Sequence, residues 1–165
     1  LAHIERHPLM RAIRIDKFTL AALEATLRAY ADDAFVDELP TWRAIALSEA
    51  RVRERAEHLA ARLRLEGVEA EVIAGESTVG GGSLPGETMP TSLCALPTRA
   101  AGQRPDAARL AEALLQGEPP IIARVLRDQA LLDLRAVADA DDETLYTGIL
   151  VAWRGVTGDE PRRRD

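Results

Sequence analysis

The chain has 165 residues, of which 47% are hydrophobic and 29% charged, and its formal net charge is −6. This composition is typical of a globular protein with a sizeable core, and the acidic balance disfavours a general DNA- or RNA-binding surface. The single cysteine, Cys94, excludes an internal disulfide and a cysteine-based zinc site, while the lack of a signal peptide or membrane-length apolar run favours a cytoplasmic protein without membrane contact.

The first residues predict the end of a helix. Residues 1–6 are typical of a last helical turn that Pro8 closes, and residues 7–17 are cationic and predicted to be irregular. Because the chain starts with Leu1 inside a helical pattern, we expect it to be a fragment of a longer protein.

The next segment predicts connecting helices. Asp16 is placed to cap a helix that ends near residues 31–33. Apolar residues recur in it at helical spacing: Leu20, Leu23, Leu27 and Tyr30. A break is predicted at residues 37–40, followed by a helical turn over residues 41–47.

A long capped helix and two strands are predicted next. Ser48 caps the helix and Gly67 ends it. Its apolar stripe consists of Val52, Ala56, Leu59 and Leu63. Residues 68–73 alternate as a half-buried strand does, residues 75–88 form a glycine-rich loop, and residues 91–96 predict a second strand that buries Cys94.

The last part of the chain predicts a helix, a hairpin and a final helix. Pro105 opens the first of these helices, which Gly117 ends, and its apolar residues are Leu110, Leu114 and Leu115. Residues 121–126 and 130–134 predict a hairpin around residues 127–129. The final helix starts at Asp139 or Asp141 and carries Leu145, Ile149 and Trp153.

This order of elements predicts an α+β fold with a mainly antiparallel four-stranded sheet that helices cover on one face. Residues 1–47 are assigned to connecting helices, residues 48–154 to a small α+β domain, and residues 155–165 to a flexible polar tail.

Two segments are candidates for anion binding. Arg11 and Arg14 share a face if they lie on one helical turn, and paired guanidinium groups suit phosphate or carboxylate oxygens, although exposed arginines are common without such a role. In the second segment, Gly80, Gly81 and Gly82 precede Ser83, and their N–H groups are suited either to cradling phosphate or to a tight connection. No Gly-Lys-Ser or Gly-Lys-Thr follows, which excludes a P-loop.

Three motifs carry a resemblance to a known family. The first is residues 7–17 with residues 19–27, the second is Gly75-Glu76-Ser77 with residues 79–87, and the third, weaker one is residues 117–124 followed by Leu131-Leu132-Asp133-Leu134-Arg135. Together they resemble bacterial selenocysteine synthase, the L-seryl-tRNA(Sec) selenium transferase family, in order over most of the chain.

The resemblance implies the small C-terminal domain of a fold-type-I pyridoxal-phosphate transferase, preceded by linking helices. The parent enzyme would convert seryl-tRNA(Sec) to selenocysteinyl-tRNA(Sec) with selenophosphate, as a homo-oligomer. Arg11 and Arg14 fall on the motif implied to bind the anionic selenium donor, and the loop of Gly80 to Ser83 would face the cleft.

The cofactor lysine of the family lies upstream of the first motif, so we expect no catalytic residue in this chain and no covalently held cofactor. Lys17 is the only lysine among 21 lysines and arginines, and it stands at a different motif position. His3, His7 and His58 show no metal-ligand spacing. Two alternatives stay open: a related pyridoxal-phosphate lyase acting on a free amino acid or amino sugar, and a non-catalytic, self-associating fragment.

Overall fold

The computed structural model describes residues 7–80, 86–98 and 106–158, with the side chains of residues 11 and 12 left out. The predicted helical turn over residues 1–6 and the end of the tail lie outside these ranges. The chain divides into two compact units, Leu1–Ala46 and Leu47–Asp165. None of the described helices is long and apolar enough to cross a membrane.

The described part of the first unit is helical. Its helices are α1 (Leu9–Ala12), α2 (Lys17–Ala31), α3 (Phe35–Glu38) and α4 (Pro40–Ala46). The predicted cap of α2 is confirmed, because the Asp16 carboxylate accepts the N–H groups of Phe18 and Thr19 at 2.9 and 3.0 Å. The break predicted at residues 37–40 is narrower than expected, since only Leu39 separates α3 from α4.

An aromatic cluster holds the helices of the first unit together. The rings of Tyr30 and Phe35 stack with centroids 5.4 Å apart, and Trp42 meets Phe35 edge-on at 5.2 Å. The Trp42 indole N–H also donates to the Tyr30 hydroxyl at 2.5 Å. Such pairs contribute about 0.5–1.5 kcal/mol each beyond their buried area, so this cluster anchors α3 and α4 to the end of α2.

The second unit is the predicted α+β layer. Its helices and strands are α5 (Glu49–Leu65), β1 (Glu71–Thr78), β2 (Thr88–Pro97), α6 (Ala107–Leu115), β3 (Arg124–Leu126), β4 (Gln129–Asp133) and α7 (Asp142–Thr157), with 3₁₀ turns at Leu134–Ala136 and Asp139–Asp141. The strand order is β1-β2-β4-β3, and every pairing is antiparallel. The predicted fold class is therefore confirmed.

The main core lies between the sheet and the three helices α5, α6 and α7. Alternate residues of β2, Cys94 and Leu96, face these helices and are fully buried. The predicted apolar residues Leu63, Leu110 and Ile149 are fully buried as well, and each contributes roughly 1.5–3 kcal/mol by the hydrophobic effect. The other members of the cluster include Val52, Ala56, Leu59, Leu114, Leu132, Leu145 and Trp153. Leu115 was expected here but is exposed.

The first strand starts later than predicted because the end of α5 uses the backbone of residues 67 and 68. Gly67 has φ +81°. Its N–H donates to the carbonyl oxygen of Arg64, and the N–H of Val68 donates to the carbonyl oxygen of Leu63. This arrangement is a Schellman motif, in which the residue after the glycine packs on the helix, and Val68 is buried. Val68 therefore closes the helix instead of starting β1.

Two further boundaries differ from the prediction. The β3–β4 turn consists of Arg127 and Asp128, both with positive φ, and Gln129 already belongs to β4. Two left-handed residues match the right-handed twist of the flanking strands. The final helix continues through Gly155 to Thr157, so these residues, assigned to the tail, are helical up to the left-handed Gly158.

Candidate functional site

The arginine motif is divided between a helix and its exit. Arg11 belongs to α1, whereas Arg14 lies beyond the helix end at Ile13 and its side chain is exposed. The two arginines therefore do not lie on one helical turn, the condition under which they would share a face. The prediction that residues 7–17 are irregular is wrong for Leu9–Ala12, which are helical. Arg14 is exposed, so an anion can reach it from solvent. The side chain of Arg11 lies outside the described residues, and the anion-binding role of both arginines stays a prediction.

The ends of this motif are fixed by hydrogen bonds to the backbone. His7 is exposed, and its Nδ1 accepts the N–H of Leu9 at 3.2 Å, which supports the first turn of α1. Asp16 also accepts the Thr19 hydroxyl at 2.6 Å, and this hydrogen bond is the main cause that lowers the pKa of its carboxyl. The motif thus runs between two local caps. Lys17 is exposed at the start of α2.

The glycine-rich segment is a hairpin connection, and it is shorter than predicted. Residues 75–78 belong to β1, where Thr78 pairs with Thr88 of β2. Gly75 leaves room for Leu93, because a Cβ atom at residue 75 would lie 2.5 Å from Leu93 Cδ1 and the buried Leu93 side chain would have to shift. Gly80 has φ +150°, which other residues rarely adopt. Gly81, Gly82 and Ser83 lie outside the described ranges, so their place in a cleft stays a prediction.

A buried polar cluster lies where this hairpin leaves the sheet. The Asp133 carboxylate ends β4, and it accepts the Thr91 hydroxyl at 2.9 Å and the Arg135 N–H at 3.0 Å through Oδ1. Its Oδ2 accepts the Ser77 hydroxyl. Thr91 is 1% exposed. One carboxylate, at the end of β4, thereby contacts side chains of both β1 and β2.

Arg135 extends the same cluster with its guanidinium group. It donates to the carbonyl oxygens of Pro90 at 2.8 Å and Leu47 at 2.5 Å, and the residue is buried. A buried guanidinium needs such acceptors because transferring it from water is costly. The sequence motif containing Asp133 and Arg135 was noted for its resemblance alone, and its contacts were not foreseen.

A second buried arginine was missed entirely. Arg55 of α5 forms a fork with the Asp142 carboxylate at 2.5 and 3.1 Å and meets Asp139 at 3.0 Å. It also donates to the carbonyl oxygens of Leu134 and Val137 at 3.0 and 2.9 Å. The sequence signal is weak but present: Arg55 lies within the apolar stripe of α5, beside Ala56 and between Val52 and Leu59. These contacts attach the segment between β4 and α7 to the core.

The remaining titratable candidates carry no site. Cys94 is fully buried as predicted, and desolvation raises the pKa of its thiol to about 12, which makes it an inert side chain in the folded state. His58 lies on the exposed face of α5. Within the part of the chain that the structure describes, no group of three or more His, Cys, Asp and Glu residues could hold a metal ion.

Comparison with known proteins adds a family relationship to this geometry. A family model described as L-seryl-tRNA selenium transferase matches residues 1–138. Proteins named L-seryl-tRNA(Sec) selenium transferase are similar: that of Solidesulfovibrio magneticus is 45% identical over 95% of this chain and 34% of its own length. Those of Geotalea daltonii and Hyphomonas neptunium are 40% and 39% identical over 90% and 94% of this chain, each across 32% of the relative. The chain spans about a third of the length of these relatives.

Proposed function

From the premise that the chain belongs to the L-seryl-tRNA selenium transferase family, we propose that it supplies the small α+β domain and the arginine motif of a pyridoxal-phosphate-dependent transferase. The full-length protein converts seryl-tRNA(Sec) to selenocysteinyl-tRNA(Sec) with selenophosphate, in the cytoplasm and as a homo-oligomer. The similarity over nearly the whole chain to proteins of that name is the single observation that carries this proposal.

The described residues do not fit the cofactor, so we assign the chain no step of that chemistry. A Schiff base needs a lysine amine in a sheltered site where it loses its proton readily. Lys17 is the only lysine of the chain and is exposed at the start of α2. The chain by itself is therefore inactive in our proposal, and its contribution is binding and closure.

Arg11 and Arg14 would bind the selenium donor. Selenophosphate is a small anion with several oxygens, and guanidinium groups bind such oxygens through parallel charged hydrogen bonds. The exposed side chain of Arg14 and the irregular backbone after α1 support this role, since both leave the guanidinium group able to turn toward a ligand.

The test is donor kinetics in the full-length protein carrying these residues. Replacing Arg14 with Gln, or Arg11 with Gln, is expected to raise the KM for selenophosphate roughly 10- to 100-fold, the loss of one charged hydrogen bond. Arg28→Gln is the matched control, because Arg28 is exposed in the same unit and pairs with Glu24 in a surface salt bridge. Equal KM values in all three variants would reject the anion-binding role.

A further test concerns the cofactor. After incubation with pyridoxal phosphate and gel filtration, this chain is expected to retain no absorbance that depends on Lys17. A retained band that disappears in Lys17→Arg would show that the lysine does hold the cofactor, and it would overturn the assignment of this chain as a non-catalytic part.

Self-association has an observation of its own in its favour. Helix α2 exposes four large apolar side chains that lie on one stripe at heptad-like spacing, namely Leu20, Leu23, Leu27 and Tyr30. Exposed apolar stripes of this kind are typical of helix–helix interfaces. We propose that a second copy of the chain covers this stripe when the protein self-associates. The test is sedimentation of the chain carrying Leu23→Glu, with Leu65→Glu on the second unit as the control variant. If both variants and the unaltered chain all sediment as monomers, self-association through α2 is contradicted.

A further inference from the structure

The hairpin of β1 and β2 extends beyond the rest of the sheet. Strand β4 pairs with β2 only from Leu93 to Pro97, whereas β1 pairs with β2 as far as Thr78 and Thr88. In the described residues, the part of the hairpin formed by residues 74–78 and 88–92 is thus a two-stranded ribbon. A ribbon of two strands is only marginally stable in water, so its order needs another support.

Asp133 and Arg135 lie at the end of β4, the third strand in the order of the sheet. Asp133 accepts hydrogen bonds from Ser77 on one strand of the ribbon and from Thr91 on the other. Arg135 donates to the Pro90 carbonyl oxygen between them. Both side chains of the ribbon that meet Asp133 are buried, with Ser77 at 9% and Thr91 at 1% exposure. Side-chain hydrogen bonds therefore replace the missing strand.

The same arginine also holds the start of the second unit. Arg135 donates to the carbonyl oxygen of Leu47, which immediately precedes Ser48, the cap of α5. The backbone N–H of Arg135 donates to the Asp133 carboxylate, so the two residues orient each other. Three segments that are remote in sequence meet here: residue 47, the ribbon, and residues 133–135.

We propose that Asp133 and Arg135 form a lock that joins the start of the second unit to the two-stranded ribbon, so that the ribbon and Leu47 open together and not independently. The ribbon carries the glycine-rich connection, so the lock also sets where that connection emerges. This inference rests on the contacts alone and is independent of the proposed transferase function.

Amide hydrogen exchange of the intact chain tests the lock. Either Asp133→Asn or Arg135→Met is expected to raise exchange roughly 10-fold or more at the ribbon amides and at the amides of Arg51 and Val52 together, because each variant removes charged hydrogen bonds from the shared cluster. The N–H groups of Arg51 and Val52 donate to Ser48 at the start of α5, so their exchange reports the opening of that helix end. Amides of residues 93–96, which have strands on both sides, are expected to change less than about twofold. Arg62→Met is the matched control, since that arginine pairs with Glu143 on the surface of the same unit.

Two milder variants decide the case if the first ones unfold the unit. Thr91→Val removes one hydrogen bond to Asp133 without changing shape, and Arg135→Lys keeps the charge but loses the fork. Faster exchange confined to the ribbon and to the amides of Arg51 and Val52 supports the lock. Unchanged exchange in the ribbon, or an equal rise over the whole sheet, would overturn it. So would faster exchange of the ribbon in one variant and of Arg51 and Val52 in another.

Discussion

Replacing Arg55 with Met is expected to destabilise the second unit more than any exposed arginine substitution. The side chain of Arg55 is 3% exposed and contacts two carboxylates and two backbone carbonyl oxygens. Removing it leaves the Val137 carbonyl group without this donor, at about 1–3 kcal/mol where water does not reach. The Leu134 carbonyl oxygen still accepts the Val137 N–H at 3.2 Å. Asp142 is 36% exposed, so water compensates part of the lost ion pair. We therefore expect a loss of about 3 kcal/mol, at the low end for breaking a buried ion pair.

The buried thiol of Cys94 provides the assay. Cys94 is the only cysteine and lies in β2 of the second unit, so its alkylation in increasing urea reports the unfolding of that unit. The matched control is Arg53→Met, which removes an exposed pair with Glu49 one turn away on the same helix. That control is expected to change the free energy of unfolding by about 0.5 kcal/mol or less.

The outcome separates a buried network from a surface one. If Arg55→Met and Arg53→Met lower the free energy of unfolding equally, the contacts of Arg55 contribute nothing beyond a solvated pair and the reasoning is refuted. A double-mutant cycle adds a second check: in an Asp142→Asn background, Arg55→Met is expected to cost less than in the unaltered chain, because the two side chains act as one unit.

Three further outcomes are expected. Gly75→Ala should lower the stability of the second unit by about 1–3 kcal/mol in urea unfolding, because its Cβ would lie 2.5 Å from Leu93. Gly155→Ala inside α7, where the added Cβ meets nothing within 4 Å, should raise the stability by about 0.5–1 kcal/mol. If both variants change the free energy of unfolding in the same direction, this account of the packing is contradicted. Burial raises the Cys94 thiol pKa to about 12, so the neutral thiol stabilises the folded state. This stabilisation is complete below the ordinary thiol pKa of 9.0 and is lost as pH rises toward 12. Alkylation of Cys94 at pH 8 should therefore follow unfolding alone, and rapid labelling of the folded protein would disprove the burial. The hydrogen bond with Thr19 lowers the pKa of the Asp16 carboxyl, so the Asp16 cap stabilises α2 above pH 3.8 and this stabilisation is lost as pH falls through the lowered pKa. Helicity measured by circular dichroism should fall in that acid range for the unaltered chain but not for Asp16→Asn. Identical acid profiles of the two proteins would exclude the cap.

The sequence by itself determined the longer helices, two of their caps and the order of the main elements, but not the short helices α1 and α3. Asp16 and Ser48 both cap as predicted, because a capping side chain binds N–H groups within three residues of itself. The apolar stripe of α5 and the burial of Cys94 follow from spacing alone. The family resemblance read from three motifs is also confirmed by the matched family and its relatives.

Only the tertiary structure decided which polar residues are buried and how far the strands extend. Arg55 meets Asp142 across 87 positions, Thr91 meets Asp133 across 42, and Arg135 meets Leu47 across 88. Gly75 belongs to a strand because its backbone pairs with Thr91 of the neighbouring strand. No local pattern predicts such pairs, since an arginine in a helix looks the same in sequence whether water or a distant carboxylate surrounds it. The position of its partner is set by how the sheet and helices pack, and that packing depends on the whole second unit at once.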